Sequence, residues 1–241
     1  MTAASKWLAR PRELTLEDGE VHIWRVPLRL DTGVLDRVRL SLSADEGSRA
    51  NRFVFAADRD SFVAARGILR ELLGSYVGTA PAELKFDYGL QDKPALGPSH
   101  PPIQFNLSHS HGLAVYAFAR ERQLGIDLEL IRPEFAGDEI AERYFSSAEL
   151  EELRALPSEA RAEGFFLCWT RKEAYVKARG EGLQIPLASF DVSLTPGKQE
   201  ELRSEDALRW EIHSFEPGAQ YVGAVVAEGR GLHLRYWDWA P

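Results

Sequence analysis

Residues 103–130, IQFNLSHSHGLAVYAFARERQLGIDLEL, contain three short apolar runs separated by polar residues. Runs of this length, bounded by residues that favour turns, are typical of β-strands. We predict strands over 103–107, 113–118 and 124–130, and a polar loop from Ser108 to Gly112 between the first two. The middle of the chain is therefore expected to form a sheet.

Helical patterns lie on both sides of this segment. Apolar residues recur at helical spacing over 44–73, and the next residue, Gly74, is of a type that commonly ends helices. Ser146 and Glu149 have the spacing of a capping box, which predicts the start of a helix. The strongest helical pattern of the second half covers 163–179 and is also followed by a glycine.

Each half of the chain thus offers helices followed by short strands, without the regular alternation that marks doubly wound nucleotide-binding folds. Further strand-like runs lie at 190–194, 208–215, 221–226 and 232–237. We predict an α+β fold of two similar halves, residues 1–120 and residues 121–241, each a small antiparallel sheet packed with a long helix.

The composition is that of an ordinary globular chain. The 241 residues include 29 Lys and Arg against 37 Asp and Glu, and the formal net charge of −8 argues against a general nucleic-acid-binding protein. The longest nearly apolar stretch, 113–119, is far shorter than the roughly 20 residues that span a bilayer. The N-terminus lacks the apolar core of a signal peptide, and the single cysteine, Cys168, permits no internal disulfide. We therefore expect a cytoplasmic protein that binds neither nucleic acid nor membrane.

The segment GIDLE (125–129) places two carboxylates on one side of a strand. Asp127 and Glu129 are two residues apart, so they point the same way, while the intervening leucine points to the other face. Paired carboxylates are costly to bury without a cation, and oxygen ligands suit magnesium better than zinc. An edge strand with its polar face in water is the alternative.

The segment WTRKEAYVK (169–177) carries a second polar arrangement. Trp169, Glu173 and Lys177 are spaced by four and stack along one helix face. A surface ion pair, worth roughly 0.3–0.5 kcal/mol, is one explanation of this spacing. If Glu173 joins the two strand carboxylates, however, three oxygen ligands and a nearby lysine form an arrangement suited to phosphoryl transfer.

The segment NLSHS (106–110) is predicted to be a strand that ends in a polar loop. Such a turn can present backbone amides, the Ser108 hydroxyl and the His109 imidazole to a phosphate. A turn held together by its own serine and asparagine side chains is the alternative.

In this order and at these separations, the three segments resemble the signature motifs of the 4′-phosphopantetheinyl transferases, specifically the larger, pseudo-duplicated Sfp-type branch. The resemblance implies a monomer with a cofactor cleft between two α+β halves. It also implies a holo-acyl-carrier-protein synthase activity: transfer of the phosphopantetheine arm of coenzyme A to a serine of an apo acyl or peptidyl carrier protein, with release of 3′,5′-ADP.

The resemblance also implies roles for the polar residues. Asp127, Glu129 and Glu173 hold Mg²⁺ on the pyrophosphate, and Glu173 or a metal-bound water takes the proton from the attacking serine. Lys177 neutralises the charge that grows as the pyrophosphate bond breaks, so the catalytic set is Asp127, Glu173 and Lys177. Contacts to coenzyme A are assigned to Arg49, Arg52, Lys93, Ser108, His109, Lys172 and Lys177, with helix packing an equal alternative for Lys172. The carrier is expected at 134–156.

Two positions depart from the family pattern. Ser61 stands where the family often has an arginine, so one phosphate contact is missing or moves to Arg59 or Arg66. Asp92 precedes Lys93 where a glycine is usual, and an acid beside a phosphate-binding cation weakens its pull.

Two other functions are compatible with the same residues. A magnesium-dependent pyrophosphate hydrolase would use the same metal site with water in place of the serine. A non-catalytic module that binds coenzyme A or a carrier would use the acidic cluster only for stability, although such a module has no need of Asp127, Glu129, Glu173 and Lys177 together.

Overall fold

The chain repeats one arrangement of strand, long helix and hairpin. The computed structural model describes residues 6–88, 94–180 and 185–241. The α-helices in these ranges are α1 (Thr32–Arg39), α2 (Ala44–Ala50), α3 (Ala56–Val77), α4 (Asp138–Tyr144), α5 (Ser147–Ala155) and α6 (Ser158–Arg179). The strands are β1 (Leu8–Ala9), β2 (Glu20–Pro27), β3 (Phe86–Tyr88), β4 (Pro94–Leu96), β5 (Ile103–Ser110), β6 (Leu113–Arg120), β7 (Leu124–Leu130), β8 (Asp191–Val192), β9 (Leu202–Arg203), β10 (Trp210–Phe215), β11 (Tyr221–Glu228) and β12 (His233–Asp238).

The repeat is visible in the order of the strands. In the first half, β2, α3 and the β5–β6 hairpin form a unit whose strands lie in the order β2-β6-β5. In the second half, β7, α6 and the strands β10 and β11 follow the equivalent order β7-β11-β10. The middle strand of each unit is antiparallel to both neighbours, and each long helix has 22 residues. The predicted α+β fold of two similar halves is confirmed.

The last strand lies in the sheet of the first half. β12 inserts between β1 and β2, parallel to both, and Trp239 beyond it is buried in the first core. The prediction that 232–237 belongs to the antiparallel sheet of the second half is therefore wrong, and the unit 121–241 contains a strand that completes the other sheet. A strand pattern specifies which side chains face the core but leaves the neighbouring strand undetermined.

The helical region predicted over 44–73 is two helices. α2 begins with a capping box between Ser43 and Glu46, and α3 runs past Gly74 to end at Gly78, whose φ of +68° is left-handed. Gly74 lies within α3, and its lack of a side chain leaves room for the Thr79 carbonyl oxygen, which would lie 2.6 Å from a Cβ there. No helix in the described ranges combines the length and apolar character needed to cross a bilayer.

The helix starts and stops of the second half follow the prediction. Ser146 and Glu149 form the capping box of α5, with the Ser146 hydroxyl accepting from the Glu149 amide at 3.2 Å. The long helix ends at Gly180 in the left-handed conformation, φ +70°, although it begins at Ser158, five residues before the predicted start.

β7 lies directly against the backbone of α6. A Cβ atom at Gly125 would lie 2.2 Å from the Ala174 carbonyl oxygen and 2.3 Å from the Ala178 amide nitrogen. Both are backbone atoms that no side-chain rotation can move, so only glycine permits this approach. The strand that carries GIDLE is thereby fixed against the helix that carries WTRKEAYVK.

The apolar residues of β7 fix its orientation. Ile126 and Leu128 are fully buried in the cluster that also contains Ile23 and Val115 of the first sheet. These residues therefore join the two halves. Because strand side chains alternate, the two carboxylates of β7 are directed to the opposite face, toward α6.

Candidate active site

Asp127 is the most constrained carboxylate of the site. One of its oxygens, Oδ1, accepts from the Lys177 ammonium at 2.6 Å and from the Ser108 hydroxyl at 2.8 Å. Only 4% of the residue is exposed. The other oxygen, Oδ2, is buried and accepts no hydrogen bond from the residues that the structure describes. A buried carboxylate oxygen without a donor is costly unless a cation or another ligand reaches it.

Glu129 lies two residues further along β7. Its Oε2 accepts from the Ser110 hydroxyl at 2.9 Å. Burial raises the pKa of the Glu129 carboxyl, the hydrogen bond from Ser110 opposes the rise, and the charge of Asp127 adds to it. The ionised form of Glu129 is therefore disfavoured both by desolvation and by the neighbouring negative charge of Asp127.

Glu173 brings a third carboxylate from α6, one turn before Lys177. Burial raises the pKa of Glu173, the charge of Asp127 adds to the rise, Lys177 opposes it, and Glu129 adds to it again. The structure thus places the three predicted ligands close enough to repel one another, with the lysine beside them. An all-oxygen donor set with one unpartnered buried oxygen fits a divalent hard cation. Within the described ranges, however, no three Asp, Glu, His or Cys side chains are arranged so that they could hold a metal ion as they stand.

The NLSHS segment is a strand rather than a strand followed by a loop. β5 continues to Ser110, and the turn to β6 consists of His111 and Gly112, with φ values of +48° and +85°. Positive φ at both central residues is the geometry of a tight hairpin turn. The predicted loop from 108 to 112 is therefore wrong, because Ser108 and Ser110 lie on the strand and their side chains bond to β7.

The alternation of β5 separates two sets of side chains. Ser108 points to the carboxylates of β7, where its hydroxyl donates to Asp127 and receives a bond from Lys177 at 3.3 Å. Its neighbours Leu107 and His109 line a cleft of about 400 Å³ on the other side. Ser108 thus contacts the acidic cluster, whereas His109 faces the cleft.

The cleft carries the cations expected of an anion-binding site. Arg49 lies over the Phe62 ring at 5.4 Å, and Arg66 lies over the Phe86 ring at 5.0 Å. The residues lining it are Arg49, Phe53, Asp58, Ser61, Phe62, Ala65, Arg66, Leu107 and His109. Of the two arginines proposed to compensate for Ser61, the structure places Arg66 in the cleft.

Two of the predicted coenzyme A contacts, Arg52 and Lys172, do not line the described cleft. Arg52 is exposed in the turn after α2 and does not line the described cleft. Lys93 lies outside the described residues. Lys172 is fully buried, and its ammonium bonds to Glu149 at 2.8 Å and to the carbonyl oxygens of Leu187 and Phe190 at 2.7 Å and 2.6 Å. A phosphate contact for Lys172 does not fit this burial, and the packing alternative describes it.

A second, smaller groove opens beside Glu129. It has a volume of about 170 Å³ and is lined mainly by aromatic and aliphatic side chains: Glu129, Arg132, Phe135, Ile140, Phe165, Phe166 and Trp169. Phe135 is 47% exposed. Tyr144 is half-buried and packs edge to face with Trp169, with 5.5 Å between the ring centroids. The segment after β7 therefore presents an apolar surface next to the carboxylates.

Comparison with known proteins identifies the family. A family model described as the 4′-phosphopantetheinyl transferase superfamily matches residues 123–226, and one described as 4′-phosphopantetheinyl transferase, N-terminal, matches residues 34–121. The 4′-phosphopantetheinyl transferase HetI of Nostoc sp. is 42% identical over 235 residues, which cover 97% of this chain and 98% of that protein. The chain belongs to the 4′-phosphopantetheinyl transferase superfamily. A 4′-phosphopantetheinyl transferase of Bacillus subtilis is 31% identical over 199 residues, 82% of this transferase and 87% of the relative.

Two polar residues of the NLSHS segment were given no role in the site by the sequence alone. Asn106 and Ser110 lie on β5 on the same side as Ser108, and both donate to or accept from β7. The signal was present in the alternation of polar residues at 106, 108 and 110, which indicates one polar strand face. It was lost because the strand was predicted to end at 107.

Proposed function

We propose that this protein transfers the phosphopantetheine arm of coenzyme A to a serine of an apo acyl or peptidyl carrier protein, with Mg²⁺ as cofactor and 3′,5′-ADP as the second product. The observation that carries the proposal is the position of Lys177. Its ammonium bonds to both Asp127 and Ser108, at the boundary between the acidic cluster and the strand whose other side lines the cationic cleft.

The acidic cluster supports a role for Mg²⁺. Asp127, Glu129 and Glu173 would hold the cation, with Asp127 Oδ2 the buried oxygen that lacks a donor among the described residues. When bound, the cation supplies Lewis-acid stabilisation of charge on the pyrophosphate oxygens. Burial and neighbouring carboxylates raise the pKa of Glu129 and of Glu173, and the positive charge of a bound cation would favour their ionised forms.

The chain's own residues perform the remaining steps. Lys177 provides positive charge where the bond to the departing nucleotide breaks, and its bond to Asp127 holds it there. Glu173 lies one helical turn away and accepts the proton of the attacking serine. In this proposal, Ser108 keeps Asp127 and Lys177 in register with each other rather than contacting phosphate itself.

The cleft of about 400 Å³ is the proposed site for the nucleotide end of coenzyme A. Arg49, Arg66 and His109 would contact its phosphate groups, and Arg66 takes the place of the arginine missing at Ser61. The aromatic pair Phe53 and Phe62, 5.4 Å between ring centroids, gives the cleft an apolar wall suited to a base or pantetheine chain.

The groove beside Glu129 is the proposed meeting point with the carrier. Its exposed Phe135 and Ile140 offer apolar contacts next to the carboxylates, where the carrier serine must arrive. Because the enzyme is acidic overall, docking would depend on this local surface and on Arg132 rather than on net charge. We further propose that the transferase works as a cytoplasmic monomer.

Intact-mass spectrometry of an apo carrier protein tests the proposal. Incubation with the transferase, coenzyme A and Mg²⁺ should add one phosphopantetheine to the carrier, and a chelator should prevent the addition. Glu173→Gln should abolish the transfer while circular dichroism shows an unchanged fold. Consumption of coenzyme A without an acceptor would instead support a pyrophosphate hydrolase, and binding without turnover would support a non-catalytic module.

A further inference from the structure

Side chains of β5 connect it to β7, although the two strands belong to different sheets. β5 is the edge strand of the five-stranded sheet and β7 is an edge of the three-stranded sheet. Asn106 Oδ1 accepts from the Ile126 amide at 2.9 Å, and the hydroxyls of Ser108 and Ser110 donate to the two β7 carboxylates. This ladder of side-chain bonds crosses the junction between the halves where a backbone ladder is lacking.

The hydroxyl of Ser110 has three hydrogen-bond partners. A serine hydroxyl donates once and accepts twice. Here the Leu130 amide donates to it at 3.3 Å, and His111 Nδ1 lies 3.0 Å away. The Glu129 carboxylate, at 2.9 Å, can only accept when it is ionised. When Glu129 is ionised, the hydroxyl hydrogen of Ser110 is therefore directed at Glu129.

This arrangement holds one oxygen of Glu129 and leaves the other to a ligand. Ser110 is 7% exposed and lies on a strand, so its side chain has little freedom to move. Among the described residues, it is the hydrogen-bond donor to the Glu129 carboxylate, through Oε2. A carboxylate that is held through one oxygen presents its second oxygen in a defined direction. Hydrogen-bond partners of metal ligands commonly orient the ligands in this way.

We propose that Ser110 is a positioning residue of the transferase, which orients Glu129 toward a divalent cation through the hydrogen bond between its hydroxyl and Glu129 Oε2. The inference rests on the proposed function, because it assumes that Glu129 is a metal ligand. Ser110 acts through Glu129 and touches neither substrate nor cation. The same hydroxyl accepts a hydrogen bond from the Leu130 amide, so it also holds the end of β7, which carries Glu129.

The test compares Ser110→Ala, which removes the donor, with Ser110→Thr, which keeps it. Ser41→Ala is the matched control: Ser41 is similarly buried, 8% exposed, and its hydroxyl donates to the Val38 carbonyl oxygen at 2.6 Å, away from the acidic cluster. Mn²⁺ binding is measured by electron paramagnetic resonance with coenzyme A present and no carrier. Melting temperature and the Mg²⁺ concentration for half-maximal transfer are measured alongside.

Ser110→Ala should weaken Mn²⁺ binding by about tenfold and raise the Mg²⁺ requirement equally, the effect typical of removing a partner of a metal ligand. Ser110→Thr should restore both, while Ser41→Ala should lower the melting temperature alone. If Ser110→Ala does not fold, the same measurements are made on Ser110→Cys, whose side chain has a similar volume but no strong hydrogen-bond donor.

Unchanged Mn²⁺ affinity in folded Ser110→Ala, or in Ser110→Cys if the alanine variant does not fold, would overturn the inference and leave Ser110 a purely structural residue. Wild-type protein that binds no Mn²⁺ would overturn the proposed metal site as well, so the two failures can be told apart.

Discussion

The substitution Gly125→Ala tests whether the close approach of β7 to α6 sets the geometry of the site. The new Cβ would lie 2.2 Å from the Ala174 carbonyl oxygen, and backbone contacts shorter than 3.0 Å do not persist, so strand and helix must separate by at least 0.8 Å. If the side chains keep their conformations and the shift lies along the bond, the 2.6 Å distance between Lys177 Nζ and Asp127 Oδ1 lengthens to about 3.4 Å, beyond a good hydrogen bond. A misplacement of about 1 Å costs on the order of 100-fold in rate.

We expect Gly125→Ala to lower kcat/KM for carrier modification by roughly 100-fold and the free energy of unfolding by about 1–3 kcal/mol, the usual cost of overpacking. The rate is followed by intact mass of the carrier and the stability by urea unfolding. Gly33→Ala in α1 is the control, because a Cβ there meets nothing within 4 Å. It should leave turnover unchanged and stabilise α1 by up to about 1 kcal/mol. Wild-type turnover and stability in Gly125→Ala would refute the reasoning.

Three further substitutions give separate checks on charge and burial. Glu173→Gln should raise the melting temperature of the metal-free protein at pH 7, because the raised pKa of Glu173 means that folding disfavours its ionised form. A gain of about 1 kcal/mol in the free energy of unfolding corresponds to a rise of roughly 2–4 °C. An unchanged or lower melting temperature by calorimetry would contradict this prediction. Burial lowers the pKa of His22 below 6.5; Glu20 opposes this shift and the charge of Arg235 adds to it. Below about pH 6.5 His22 is therefore protonated more readily in the unfolded chain than in the folded one, so the free energy of unfolding falls as the pH drops. Urea unfolding between pH 7.5 and pH 5 should show a smaller loss in His22→Gln than in the wild type; equal losses would exclude His22 as the cause. His109→Ala should raise the KM for coenzyme A by about tenfold with little change in kcat, and steady-state kinetics that show a lower kcat at unchanged KM would place His109 outside the proposed phosphate site.

Local chemistry determined a large part of the structure. The capping box of Ser146 and Glu149 and the helix stop at Gly180 depend on neighbouring residues and backbone φ, so they could be predicted from the sequence. Strand alternation placed Asp127 and Glu129 on one face for the same reason. The break between α2 and α3 was missed because the helical pattern continues across it.

The sequence by itself determined which residue types carry the chemistry and, through the spacing of its three motifs, the family. Only the tertiary structure decided how these residues meet. It placed Lys172 in the core on Glu149, turned Ser108 to Asp127 rather than to the cleft, and put β12 in the sheet of the first half. Each of these outcomes depends on contacts between segments far apart in the chain. Alternation and helical spacing specify a face of an element, but the partner of that face is selected by packing of the whole molecule.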